Sequence, residues 1–355
     1  SAARALRLAG LAAFAAMLAA PAAAPAARRR VAVFNFEMTS DTPQWRWLQK
    51  GLADRITTDF TRSRRITVVA RDEMQRLARE LRWVPEMALR DADALGRIRR
   101  ALRLDRLVTG VVRVSDGRIT ITAQVVDVRS RQELARREVS GPAGQVLHLQ
   151  KRLSAELLGI FADVPAERID KALPIWTRSA PAAKALYEGL DLYDQGRYAE
   201  AWLRFRQAQR TDPSYLEAHY WVARMYYFMD RYRHARRAYE RFVYMDGAHP
   251  RVGDAIKEYL HTYEKLGAEP ETLLRLYERF EERFADVRVY NEMGPGPPVP
   301  GRAWLQARAA QVLYERGRYR AACERAARAS SAVRRLRSSE EDWAFRLALR
   351  SARAH

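Results

Sequence analysis

The chain has 355 residues, a net charge of +20 and a single cysteine, with 48% hydrophobic and 30% charged residues. That length allows two or three domains, and that composition excludes a wholly disordered chain. One cysteine excludes an intramolecular disulfide, and the six histidines show no metal-ligand spacing, so no zinc or redox cofactor is expected.

The basic excess is unevenly placed. Residues 28–163 carry 27 Lys/Arg against 17 Asp/Glu, residues 164–301 carry 21 against 21, and residues 302–355 carry 13 against 5. The clusters Arg62, Arg64, Arg65 and Arg97, Arg99, Arg100, Arg103 lack interleaved aromatics. They read as solvated faces, and no nucleic-acid partner is expected. An anionic lipid, a glycan or an acidic protein remains the alternative use of the excess.

Residues 1–26 read as an export signal: Arg4 and Arg7, then an uncharged run from Leu8 to Ala20, then small residues with cleavage expected after Ala26. The alternative is an uncleaved anchor, against which Pro21 and Pro25 count. No later run is apolar enough to span a bilayer, so the mature chain is expected to carry no integral span, in the periplasm or cell envelope.

Residues 27–162 predict an α/β domain. Val31–Phe36 reads as a buried strand, and Trp45, Leu48, Leu52, Ile56 and Phe60 lie on one helical face. Ile66–Val69 forms a short strand. Asp72 is expected to cap the helix holding Met74, Leu77 and Leu81, and another helix runs from about Asp91 to Leu102. Asp116-Gly117 joins Leu107–Val114 to Ile119–Val128 as a hairpin, Glu133–Val139 adds a last strand, and Gln145–Phe161 closes with a helix. Helices come first and an antiparallel meander follows, which makes a mixed sheet.

Residues 163–182, with Pro165, Pro174 and Pro181, read as a linker. From Ala183 to Met245 the chain repeats itself at a step of 34. Gly196, Tyr198, Ala201, Phe205 and Ala208 are matched by Asp230, Tyr232, Ala235, Tyr239 and Phe242. A period of this length with small and aromatic residues in this order marks stacked helix–turn–helix units. Trp221, Phe205, Tyr239 and Phe242 are expected in the core. The pattern fades across residues 252–284, although the repeat region is taken to run to residue 290. Residues 291–301, rich in Gly and Pro, read as a hinge. Gly317, Tyr319 and Ala322 then reproduce the motif within residues 302–355, with Glu340–Ala352 as a capping helix. Cys323, among alanines on this helix, is expected to be buried.

These residues resemble two families. The repeats resemble the tetratricopeptide family, with Pro213 where the family carries its proline, and with Glu188 and Gly247 departing from it. The strings Val31–Phe36, Gly51–Asp54, Ile66–Arg71, Leu107–Gly110 and Ile119–Arg129 resemble the domain shared by the curli secretion lipoprotein family and the TolB amino-terminal region. The fold class expected is therefore an α/β domain followed by an all-α helical repeat. The first resemblance implies a protein or peptide partner in a groove lined by the first helix of each unit. By repeat position Tyr193, Tyr220, Arg224 and Tyr227 point there, residue types that dominate binding hot spots. The second implies docking to an envelope assembly. Motifs for nucleotide binding or nucleophilic catalysis are absent, and Asp91 and Asp93 do not share a helical face. The expectation is a non-enzymatic envelope adaptor without cofactors. The alternative is an outer-membrane secretion or assembly component that forms a homo-oligomer through the α/β domain.

Overall fold

Alternation along the first strand decides the layering. In the computed structural model, which describes residues 29–63, 65–80, 91–161, 165–247, 249–289 and 299–334, β1 (Arg29–Val33) lies between two neighbouring strands inside a mixed sheet. Val31 and Val33 join a core on one face with Leu48, Leu52, Ile56 and Leu153, while Ala32 and Phe34 join Leu77, Leu95 and Ile98 on the other. Successive side chains of a strand point to opposite faces, so β1 is covered on both. The covering helices are α1 (Leu48–Phe60) and α4 (Val146–Phe161) on the first face, and α2 (Arg71–Glu80) and α3 (Ala92–Leu102) on the second.

β1 pairs in parallel with β3 (Ile66–Val68) and with β4 (Arg106–Ser115), and such pairs need crossover helices. A two-residue strand, β2 (Glu37–Met38), adds to the distal half of β4. β4, β5 (Arg118–Asp127) and β6 (Glu133–Pro142) form the antiparallel meander. Its first turn has φ of 50° at Asp116 and 70° at Gly117, as a two-residue hairpin with matching twist requires. Asp91 caps α3 by accepting from the backbone N–H groups of Asp93 and Ala94. One detail differs from expectation. Pro43–Trp45 forms a separate 3₁₀ turn, α1 begins at Leu48, and Trp47 rather than Trp45 is buried.

After the short helix α5 (Ala166–Ala172), eight helices pair as four hairpins: α6 (Ala180–Asp194) with α7 (Tyr198–Thr211), α8 (Leu216–Phe228) with α9 (Tyr232–Met245), α10 (Val252–Lys265) with α11 (Pro270–Phe284), and α12 (Gly301–Glu315) with α13 (Tyr319–Arg334). Every hairpin turns through a left-handed residue: Gly196, Asp230, Gly267 and Gly317. In each, that residue's N–H bonds three residues back and the next N–H bonds five back, as at Gly196 to Tyr193 and Arg197 to Leu192. This pair of bonds satisfies the carbonyls that a helix end leaves open.

The turns also explain why the motif fades. They stand 34 residues apart (196 to 230), then 37 (230 to 267), then 50 (267 to 317). The third unit has the same architecture at a longer step, so a fixed period of 34 misaligns it. Close packing follows the repeat positions. A Cβ on Gly189 would meet the Phe205 ring at 2.6 Å, and Ala201, Ala235 and Ala322 have no exposed surface. Phe205, Trp221, Tyr239 and Phe242 are buried as their periodicity predicted. Cys323 is exposed, contrary to expectation. On α13 the buried positions are Ala322, Ala326, Ala329 and Val333, and Cys323 falls off that stripe. Tyr290, the expected end of the repeats, residues 291–298 of the expected hinge, the export-type segment and Glu340–Ala352 lie outside the described residues. β7 (Arg288–Val289) and β8 (Val299–Pro300) pair on either side of 290–298.

Candidate partner-binding site

The first helices of the four hairpins, α6, α8, α10 and α12, carry the face on which a partner was expected. Aligned on their left-handed turns, they place three rows of side chains along it. One row is Tyr187, Trp221, Glu258 and Arg308, a second is Leu190, Arg224, His261 and Gln311, and a third is Tyr193, Tyr227, Glu264 and Tyr314.

At the first two units this face is already occupied, by α1 of the α/β domain. The Trp47 and Tyr187 rings stack at 5.6 Å and 9°. A Cβ on Gly51 would lie 2.7 Å from the Tyr187 ring, so only glycine lets α1 come this close. Lys50 pairs with Asp191 and, at 3.3 Å, with Asp194. Asp54 is 3.4 Å from the Arg251 guanidinium, which also meets Glu217 at 2.9 Å. Burial opposes the charge of Arg251, but Glu217 and Asp54 outweigh it and hold its pKa above the ordinary arginine value. Farther along α1, Arg55 donates to the Pro174 carbonyl and to Asp59, whose other oxygen accepts from the Trp176 indole. Arg288 donates to the carbonyls of Thr61 and Ser63 just past the helix end. The contact therefore runs from one end of α1 to the other.

The four residues singled out from the sequence have three fates. Tyr220 is fully buried and does not line an open groove. Arg251, pinned by Asp54, lies over its ring at 5.7 Å, and Trp221 and Phe242 pack at its sides. Arg224 is 8% exposed, with its guanidinium 5.1–5.5 Å from the rings of Trp221, Phe228 and Tyr193 and its Nε 3.2 Å from Glu258. It ties α8 to α6 and α10 from within. Glu258 also accepts from the Tyr239 hydroxyl, and burial raises its pKa despite Arg224. Tyr193 and Tyr227 are the two that stay half exposed. Tyr193 leans edge-on against Trp221 and Phe228, and the Tyr227 hydroxyl meets Nδ1 of His261.

The structure adds neighbours that the sequence reading missed. His261 Nε2 is 3.9 Å from Glu264, which accepts from both Arg308 and the Tyr277 hydroxyl. The open end of the face is thus a strip of partly exposed aromatic and charged groups: Tyr193, Tyr227, His261, Glu264 and Arg308. Gly267 followed by Ala268 was the available signal, because alignment on that turn brings Glu264 under Tyr227. Beside the occupied end, a cleft of about 660 Å³ opens between Phe36, Met38, Pro43 and Trp47 on one side and Lys184, Tyr187 and Glu188 on the other. Among the described residues, no group of three or more His, Cys, Asp or Glu is placed to hold a metal ion, and no helix is long and apolar enough to cross a membrane.

No protein-family model matches the chain, and no curated protein matches it. Solved structures do. TolB from Acinetobacter baumannii is 18% identical over 40% of this chain, with a TM-score of 0.27. The LpoB C-terminal domain from Salmonella enterica is 12% identical over 36% of this chain and 91% of its own length, also at 0.27. The apo form of RapI is 10% identical over 59% of this chain, at 0.40. The chain spans 30% of TolB and 58% of RapI.

Proposed function

We propose that the protein is a non-enzymatic scaffold whose helical repeats hold its own α/β domain at one end of their inner face and take a peptide segment of a partner protein at the other. The observation that carries this is the division of the inner face. α1 covers the first units, whereas the strip from Tyr193 through Tyr227 and His261 to Arg308 is left partly exposed. Aromatic rings with an adjacent guanidinium and carboxylate suit an extended or helical peptide, through stacking and a few oriented polar contacts. The α/β domain, with its resemblance to the curli and TolB domains, would dock to an assembly of the bacterial envelope. The export-type pattern of residues 1–26 supports that address.

The test is crosslinking capture from envelope fractions with the wild type and a Tyr227→Phe, His261→Ala variant of verified helicity. Both substitutions fall on half-exposed groups, so the fold should survive. We expect a defined partner to be retained by the wild type and lost, or weakened about tenfold or more, by the variant. Equal capture by both would assign the repeats to holding the α/β domain alone.

A further inference from the structure

The side of the repeats away from the inner face carries a separate feature. α7 and α9 are equivalent second helices, and a step of 34 carries Leu203 to Arg237, Gln207 to Arg241 and Thr211 to Met245. All six are exposed, Leu203 at 60% and Met245 at 45%. Equivalent positions in stacked units point in nearly the same direction, differing only by the small rotation between repeats. The two helices are also joined across α8 by a ladder of rings, Trp202 to Tyr226 at 5.9 Å and Tyr226 to His234 at 5.4 Å. Their outer faces therefore form one surface.

Charge on that surface is predominantly positive, with Glu200 and Glu240 its only exposed carboxylates among the described residues of the two helices. α9 carries four arginines and one glutamate, and among the described residues Arg210, Arg233, Arg237 and Arg241 make no ion pair. On the next second helix, α11, four glutamates face three arginines, and Arg318, just before α13, and Arg325 on it pair with its Glu271 and Glu278. Exposed Arg275 and Arg328 on the later second helices also make no ion pair among the described residues, but the exposed aliphatic side chains Leu203 and Met245 stand on the first two units.

We propose that the outer face of α7 and α9 is a docking surface for a bilayer rich in anionic phospholipid. The arginines match phosphate headgroups, and Leu203 and Met245 reach the headgroup–acyl boundary, where aliphatic groups gain from burial. A nucleic acid would satisfy the arginines through its phosphates but offers these aliphatic side chains little apolar surface.

The test uses the full chain and sedimentation with vesicles of phosphatidylcholine, alone or mixed with phosphatidylglycerol, at about 0.15 M salt. The readout is the difference between the two vesicle types, because the apolar run from Leu8 to Ala20 is common to all variants. We expect preference for the anionic vesicles, reduced about a hundredfold in an Arg233→Gln, Arg237→Gln, Arg241→Gln triple variant. Leu203→Ser should weaken anionic binding several-fold without changing its salt dependence. Circular dichroism and an unchanged unfolding midpoint verify the fold, as every substitution is at an exposed position. No preference for anionic vesicles, or a triple variant that binds like the wild type, overturns the proposal. Retention by duplex DNA without vesicle preference overturns it in favour of a nucleic-acid surface.

Discussion

At the scale of single residues, the least legible group was His249. Nothing in its sequence neighbourhood distinguishes it, yet it is 3% exposed, edge-on to Trp176 at 4.4 Å and to Phe242 at 5.3 Å. Its Nδ1 accepts from the Arg251 backbone N–H, and Nε2 lies 3.4 Å from Glu217. Burial, reinforced by the charges of Arg251, Arg62 and Arg55 and opposed by Asp246, pushes its pKa down to about 3. The unfolded chain thus takes up the proton first as pH falls. Stability from this group is complete above pH 6.5 and is lost toward pH 3, by roughly 2–3 kcal/mol in the first two units. Urea midpoints of the wild type and His249→Gln should therefore converge between pH 6.5 and 4.5, and a constant separation would contradict this. Tyr220 was misplaced for a different reason: it stands ten residues before its turn, outside the three inner-face rows, and packs against Tyr239 and Phe242 of α9.

At the scale of elements, the local signals were readable. The Asp116-Gly117 turn, the helix start at Asp91 and the small and aromatic positions of the hairpins stand where the sequence places them, because each depends on a few adjacent residues, whereas Asp72, expected as a cap, lies one residue inside α2. The third hairpin was obscured by its longer step rather than by a different structure. Gly51 shows where such reading ends. Inside a helix, replacing glycine with alanine ordinarily stabilises by up to about 1 kcal/mol. Here the new methyl would enter the Tyr187 ring, and overpacking of this kind costs about 1–3 kcal/mol. Gly51→Ala should lower the unfolding midpoint, and Gly51→Ala with Tyr187→Leu should recover part of the loss. A stabilised single variant would show that α1 does not sit on α6.

At the scale of the whole molecule, residues 163–182 read as a connector between independent parts, since prolines are conspicuous in sequence and long-range packing is not. In the structure one continuous apolar core runs from Val31 and Leu52 through Tyr187 and Trp221 to Phe280. Arg251, Glu217 and Asp54 add a buried charge cluster across the same boundary, where loss of one partner typically costs 3–5 kcal/mol. Unfolding should accordingly be one cooperative transition, with coincident urea curves from far-ultraviolet circular dichroism and tryptophan fluorescence. Two separated transitions would mean that the α/β domain and the repeats are held together only by the chain between them.

The seating of α1 on the repeats has a consequence for competition. A helix covalently linked to its own docking surface is present at an effective concentration on the order of millimolar, whatever the dilution of the protein. A free ligand at micromolar levels cannot displace it without a far higher intrinsic affinity for the same side chains. The tether thus reserves the Tyr187–Asp194 end for the protein itself and, under the proposed function, leaves a partner peptide the end at Tyr227 and His261.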